Sequence, residues 1–220
     1  MIEAVVVAAG SGKRMGNVYK QFSVLSGKEL FLYSVEKFFE YGVDKVILVV
    51  PERKLSDITE KVGEFGKKIK VVSGGEKRQN SVYNGFKETS EEIVLIHDAV
   101  RPFIGVDLID RVVKGVKKFG VCAPAIPVRD TLKIYKDSEI LWTRSRNNLV
   151  QVQTPQGFRS NILKQIIDLF DRYSFTDELA FAEKLNYDVR WVEGDPSNIK
   201  VTYSSDMKLA EAIAEYVNRS

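Results

Sequence analysis

The sequence predicts an α/β fold, a mostly parallel β-sheet flanked by helices, and three observations predict it. The apolar run from Ile2 to Ala9, with small or β-branched residues at Ala4 to Val7, has the composition of a strand buried on both faces. Strand-like and helix-like stretches then alternate as far as Ile126, the pattern of right-handed crossovers between parallel strands. Glycines or charged residues follow the carboxyl ends of those strands, which is where open α/β sheets bind their ligands. The combination is Rossmann-like.

The elements follow in order. After the first strand the chain breaks into a loop, Gly10-Ser-Gly-Lys-Arg-Met-Gly16, and reaches Lys20. Glu29 to Tyr41 places Leu30, Ser34, Val35 and Phe38 at helical spacing, with Gly42 where a C-terminal cap belongs. Lys45 to Val50 reads as a buried strand ended by Pro51, Lys54 to Phe65 as a more polar helix, and Ile69 to Val72 as a short strand closed by Ser73-Gly-Gly75. Glu76 to Thr89 predicts a helix with Arg78 and Ser81 near its start, and the strand Ile93 to Ile96 runs into His97-Asp98. Val106 to Phe119 is again helical. In the strand Val121 to Ile126, Pro124 and Pro127 predict a sheet edge or a departure from the sheet.

The character then changes. From Val128 to Gln151 β-prone and polar residues alternate around a turn at Lys136-Asp-Ser-Glu139, which predicts a projecting β-hairpin arm. Its apolar residues need cover, either from the arm of a second subunit in an isologous dimer or from the chain's own body. Helices at Ser160 to Tyr173 and Thr176 to Leu185, strands at Val189 to Val192 and Ile199 to Tyr203, and an amphipathic helix from Asp206 to Val217 complete the reading.

Length and composition exclude several function classes. A chain of 220 residues suits one domain, 1–220, with the arm at about 128–151 inserted in it. A net charge of +3 without a basic run gives no footprint for nucleic acid. No apolar run approaches a membrane span, and the start carries an acidic residue and a strand pattern, so the expectation is a soluble cytoplasmic protein. The single cysteine, Cys122, sits in an apolar run and reads as a buried small residue of a reducing compartment, not as a nucleophile.

The chemistry concentrates at the strand ends. Gly10 and Gly12 allow a sharp turn that presents bare N–H groups, and Lys13, Arg14 and Lys20 add cations, a combination suited to a polyphosphate. A glycine-rich turn with solvated basic residues is the plainer alternative. The dinucleotide fingerprint fails because Met15 stands where glycine is needed, and the P-loop fails because Gly12-Lys13 is followed by Arg14. Gly74, Gly75 and Ser81 offer close backbone approach and a hydroxyl to a base, or form a simple connector. Asp98, after an apolar strand, is placed as a Mg²⁺ ligand or as a turn cap. His97, the lone histidine, reads as packing and hydrogen bonding, since an ionised phosphate nucleophile needs no base.

These residues carry a resemblance. AAGSGKRM from Ala8, Lys20-Gln21, GGEKRQNSV from Gly74, HDAVRP from His97, AIPVRDTLK from Ala125, SRNNLVQVQTPQGF from Ser145, TDE from Thr176 and NIKVT from Asn198 occur in order along nearly the whole chain. The chain resembles the 2-C-methyl-D-erythritol 4-phosphate cytidylyltransferases, which work in non-mevalonate isoprenoid synthesis. The resemblance implies CTP and 2-C-methyl-D-erythritol 4-phosphate as substrates, Mg²⁺ or another hard divalent cation as cofactor, and a homodimer. It implies that Arg14 and Lys20 hold the CTP phosphates and, with Lys200, form the catalytic set. Ala8, Ala9, Gly10, Gly12, Gly75 and Ser81 then hold the nucleotide, as does Glu76, at a position that is aspartate in some members. Asp98 becomes the metal ligand, and Asp98, Arg101, Thr154 and Lys200 form the acceptor pocket. Thr131 and Arg146 become arm residues that complete a neighbouring subunit's pocket. The rival readings are a cytidylyltransferase on another polyol phosphate such as ribitol 5-phosphate, and a regulator that binds CTP without turnover. The acceptor-side cations argue against the second. A dinucleotide oxidoreductase is weaker still, since Val50-Pro51 ends the second strand where an acidic residue is needed.

Overall fold

The computed structural model describes residues 1–10 and 19–219. In chain order the strands and helices are β1 (Ile2–Val7), β2 (Val24–Leu25), β3 (Lys28–Glu29), α1 (Leu30–Tyr41), β4 (Lys45–Val50), α2 (Leu55–Lys61), β5 (Ile69–Ser73), α3 (Arg78–Phe86), β6 (Ile93–Asp98), α4 (Val106–Phe119), β7 (Val121–Pro127), β8 (Leu132–Lys136), β9 (Glu139–Arg144), β10 (Val150–Val152), β11 (Gln156–Arg159), α5 (Ser160–Ile167), α6 (Glu178–Lys184), β12 (Val189–Glu193) and α7 (Ser204–Arg219). The main sheet runs β10-β7-β11-β6-β1-β4-β5, with β12 also paired to β7. The pairs β1–β4, β1–β6, β4–β5 and β7–β12 are parallel, while β10 and β11 run antiparallel to their neighbours.

Alternation along the strands sorts their side chains onto two buried faces. Ala4, Val6, Val46, Leu48 and Leu95 meet Phe31, Val35 and Phe38 of α1 and Val112, Val113 and Val116 of α4. Val5, Ile47, Val49, Val94 and Ile96 meet Val82 of α3, Leu163 and Ile166 of α5, and Leu179, Phe181 and Ala182 of α6. Both faces are covered, which is why the strands read as continuous apolar runs and not as alternations. A smaller cluster of Leu25, Leu30, Phe103, Val201, Ala210 and Ala214 seats α7. Gly42 caps α1 in the left-handed region, φ 94°, as its position predicts.

The first half of the chain winds away from β1 through β4 to β5, then returns to place β6 on the other side of β1. Strand order therefore reverses between β1 and β6, and the carboxyl ends of these two strands face one crevice. The register pairs Val7 with Asp98 at its mouth.

Four readings need correction or completion. β7 is not an edge strand, since β11 and then β10 lie on one side and β12 on the other. Pro124 is tolerated because its carbonyl accepts from Gln153 N–H on the side where β11 gives way to β10. Its missing N–H faces that same gap, because an extended residue points both backbone groups one way. No strand forms over 199–203. Within that segment Val201 N–H donates to the Val100 carbonyl at 2.9 Å, before α7 begins at Ser204. The helix expected over 160–173 stops at Ile167, and the one expected over 54–65 gives way to 3-10 turns after Lys61. The short strands β10 and β11 and the β2–β3 pair escaped the sequence reading.

The arm is a two-stranded hairpin apart from the main sheet, with Asp137 and Ser138 at φ 47° and 74° in its two-residue turn. Tyr135, Ile140 and Trp142 stand 73%, 64% and 56% exposed on it, so the chain's own body does not cover them. Cys122 is buried, and burial pushes its thiol up to about 11. No described helix is long and apolar enough to cross a membrane.

Candidate active site

A cavity of about 420 Å³ opens at the strand-order reversal. β1 ends into its wall with Ala8, Ala9 and Gly10, whose carbonyls at Ala8 and Gly10 accept from Gln21 Nε2 at 2.6 and 3.0 Å. Gln21 thus brings the neighbouring Lys20 to the cavity, where Lys20 Nζ donates to the Thr202 carbonyl at 3.0 Å. Arg14 and Gly12 lie outside the described residues, as do Lys13 and Met15.

The opposite wall comes from the β5–α3 turn, with Gly75, Glu76, Lys77, Arg78 and Ser81. Ser81 Oγ accepts from Gly75 N–H at 3.1 Å and donates to the Lys77 carbonyl at 3.3 Å, so this hydroxyl shapes the glycine turn. Gly74 is there for space: a Cβ would lie 2.3 Å from Ala9 Cβ and 2.9 Å from Ser81 Oγ, holding apart the two loops that form the cavity.

Asp98 ends β6 at the floor. Its Oδ2 accepts from Lys200 Nζ at 2.6 Å, and Oδ1 accepts from Arg78 Nε and Nη2 at 3.1 Å. Burial by itself would raise the Asp98 pKa, but Arg78, Lys200 and Arg101 overcome it and hold the carboxyl well below the usual range. Arg78 is itself divided. Its Nη1 donates to both oxygens of Glu178, at 2.6 and 2.7 Å, and Glu178 is only 1% exposed. Burial pushes the Glu178 carboxyl up against the pull of Arg78, while the two carboxylates keep Arg78 charged. Asp177 places Glu178 by capping α6, accepting from Ala180 N–H at 3.2 Å.

Behind Asp98 lie Thr154 and Arg101. Asp98 N–H donates to Thr154 Oγ1 at 3.2 Å, and Arg101 Nη1 donates to the Asn198 carbonyl at 2.7 Å. Arg101 Nε is a buried donor with no partner among the described residues, and such a donor is costly to leave unmet. Burial lowers the Arg101 pKa against the pull of Asp98. His97 is wholly buried, and burial pushes its pKa down to about 4, so it is neutral near pH 7 and walled off from the cavity.

The structure therefore brings together Ala8, Ala9, Gly10, Lys20, Gly75, Glu76, Ser81, Asp98 and Lys200 around one cavity, while Arg101 and Thr154 lie outside its lining, Thr154 hydrogen-bonded to Asp98. Thr131 and Arg146 do not line it; both are exposed on the arm, where Arg146 donates to the Arg129 carbonyl. Sequence reasoning missed the roles of Gln21, Glu178 and Asn198. Their only signal was membership of the motif fragments around Lys20, Thr176 and Asn198.

Comparison with known proteins bears on what this cavity does. The family model described as 2-C-methyl-D-erythritol 4-phosphate cytidylyltransferase matches residues 2–216. A protein of that name from Clostridium beijerinckii is 40% identical over 220 residues, covering 96% of this chain and 97% of its own. Another from Clostridium botulinum strain Eklund 17B is 37% identical over 229 residues, covering both chains entirely. The crystal structure of 4-diphosphocytidyl-2C-methyl-D-erythritol synthase from Anaerococcus prevotii superposes with a TM-score of 0.85 at 27% identity, covering 98% and 96% of the two chains. That of 2-C-methyl-D-erythritol 4-phosphate cytidylyltransferase from Thermus thermophilus gives 0.82 at 28%, covering 96% and 98%.

Proposed function

The chain belongs to the 2-C-methyl-D-erythritol 4-phosphate cytidylyltransferase family, and on that premise we propose that it condenses CTP with 2-C-methyl-D-erythritol 4-phosphate to give 4-diphosphocytidyl-2-C-methyl-D-erythritol and pyrophosphate. The observation that carries this reading is the cavity at the strand-order reversal. Small residues and bare backbone from the end of β1 and the β5–α3 turn line it together with Lys20, Lys200 and ionised Asp98. The small residues suit a nucleoside, and the charged groups a triphosphate meeting a sugar phosphate.

The acceptor phosphate is ionised near neutral pH and attacks the α-phosphorus in line, with pyrophosphate leaving opposite. The protein positions the reactants and stabilises charge. Ala8, Ala9, Gly10, Gly12, Gly75, Glu76 and Ser81 hold the nucleotide. Arg14 and Lys20 steady the charge growing around the α-phosphorus. Lys200 receives the acceptor, with Arg101 and Thr154 set behind Asp98 on that side.

Asp98 fits a hard divalent cation such as Mg²⁺, because it is held ionised and its Oδ2 keeps a lone pair beyond the bond from Lys200. Asp98 would hold the ion, which supplies neutralising charge to the phosphates. Thr131 and Arg146 serve the cavity of a second copy of the chain, with the exposed apolar arm residues as the dimer contact. One nucleotidyltransferase domain spanning 1–220, with the arm at about 128–151, is the unit of activity. The buried free thiol of Cys122 suits a reducing compartment, and we place the enzyme in the cytoplasm.

The test is pyrophosphate release by purified protein with CTP and Mg²⁺, in parallel with methylerythritol 4-phosphate, ribitol 5-phosphate or no acceptor. Release only with methylerythritol phosphate is expected. Release only with ribitol phosphate would overturn the acceptor assignment, and CTP binding without release would indicate a regulator.

A further inference from the structure

We propose that His97 is a positioning residue that sets the acceptor side of the cavity through a directed chain of three hydrogen bonds. The name of the acceptor rests on the cytidylyl-transfer reading; the chain of bonds does not. His97 Nε2 lies 3.1 Å from the Arg101 carbonyl, which can only accept, so Nε2 carries the hydrogen. Thr154 is buried, and among the described residues its Oγ1 bonds Asp98 N–H, which can only donate, and His97 Nδ1 at 3.0 Å, so Nδ1 is the acceptor its hydroxyl has in reach. The Thr154 hydroxyl therefore donates to His97, and its lone pair receives Asp98 N–H at 3.2 Å. Donation runs one way, from the Asp98 backbone through Thr154 and His97 to the Arg101 backbone.

Phe38 packs edge-on against the ring, with centroids 5.4 Å apart, which fixes its plane from the core side. Asn198 braces the same residues from the other side, its carbonyl accepting from Arg101 Nη1 and its Nδ2 donating to the Thr154 carbonyl at 2.9 Å. Asp98, Arg101 and Thr154 come from the end of β6, the loop after it and the β10–β11 connection. The bonds hold them in one arrangement before any substrate arrives, and such preorganisation lowers the ordering left for binding.

Because the chain has one histidine, ¹⁵N NMR of histidine-labelled protein reads the chain of bonds directly. A neutral ring with Nε2 protonated and Nδ1 bare at pH 7 is expected, and the Nδ1–H form or an imidazolium would overturn the proposal whether or not the protein turns over. Kinetics read the consequence. His97→Phe keeps the packing against Phe38 and removes both ring bonds, and it should raise KM for the sugar phosphate about tenfold with KM for CTP within about twofold. His97→Gln, whose amide can reach the Arg101 carbonyl, should recover most of that loss, whereas His97→Asn should not. A purely structural histidine would lower Tm in all three variants and leave the ratio of the two KM values at the wild-type figure, which would overturn the proposal. Should His97→Phe fail to fold, the Gln and Asn pair carries the comparison. Wild-type protein with no turnover on any acceptor would sink the transfer reading, and the NMR result would still decide the chain of bonds.

Discussion

Glu178→Ala takes the partner from a cation that the fold has enclosed. Arg78 Nη1 meets Glu178 Oε1 at 2.6 Å, and the side chains are 30% and 1% exposed. Breaking a buried pair by removing one partner costs about 3–5 kcal/mol, because the other charge stays behind without compensation. Arg78 keeps Asp98 at 3.1 Å and has some contact with water, so the lower end, about 3 kcal/mol, applies here. For a chain of this length each kcal/mol moves Tm by about 2–4 °C, which puts the expected fall at about 6–12 °C. Glu178→Gln keeps the shape and one acceptor and should fall by about half as much. The exposed pair Lys37–Glu40, with side chains 39% and 56% exposed, is the control: Glu40→Ala should cost about 0–1 kcal/mol. Calorimetry at pH 7 on the three variants decides the matter. A Glu178→Ala protein melting within about 2 °C of wild type would show that the clamp on Asp98 does not depend on Glu178.

Other outcomes follow from the cavity. Lys20→Ala or Arg14→Ala should slow turnover at saturating CTP by roughly two to three orders of magnitude, the effect of losing one transition-state donor, and a loss below about tenfold would remove them from that role. Gly74→Ala drives a Cβ to 2.3 Å from Ala9 Cβ, so KM for CTP should rise well before KM for the acceptor; equal effects on both would mean that the two loops yield. Arg146→Ala and Lys200→Ala chains, each nearly inactive alone, should recover activity when mixed, since a mixed dimer would contain one intact shared site. An absence of recovery, with mixed dimers verified by mass spectrometry, would place Arg146 outside the partner's cavity.

Much of this was legible in the sequence because the determining patterns are local. Continuous apolar runs at β1, β4 and β6 follow from burial on both faces, the turn at Asp137-Ser138 from its two central residues, and the cap of α1 from Gly42. Motif fragments named Ala8, Ala9, Gly10, Lys20, Gly75, Glu76, Ser81, Asp98 and Lys200 of the cavity as site residues, but not Gln21 or Arg78. What the tertiary structure alone decided are relations between residues far apart in the chain. Arg78 and Glu178 are 100 positions apart, and Lys200 and Asp98 are 102 apart. No periodicity of 2 or 3.6 can encode such pairs. β11 is four residues long, too short for its own pattern to announce it, and it exists because β6 and β7 offer edges on either side. That insertion also gives β7 neighbours on both sides despite Pro124, and the β10–β11 connection carries Thr154 to Asp98. The residue types at the site were written in the sequence. Their electrostatics, an aspartate held ionised between two cations and a histidine kept neutral by burial, depend on distance and exclusion of water, which only the packed chain supplies.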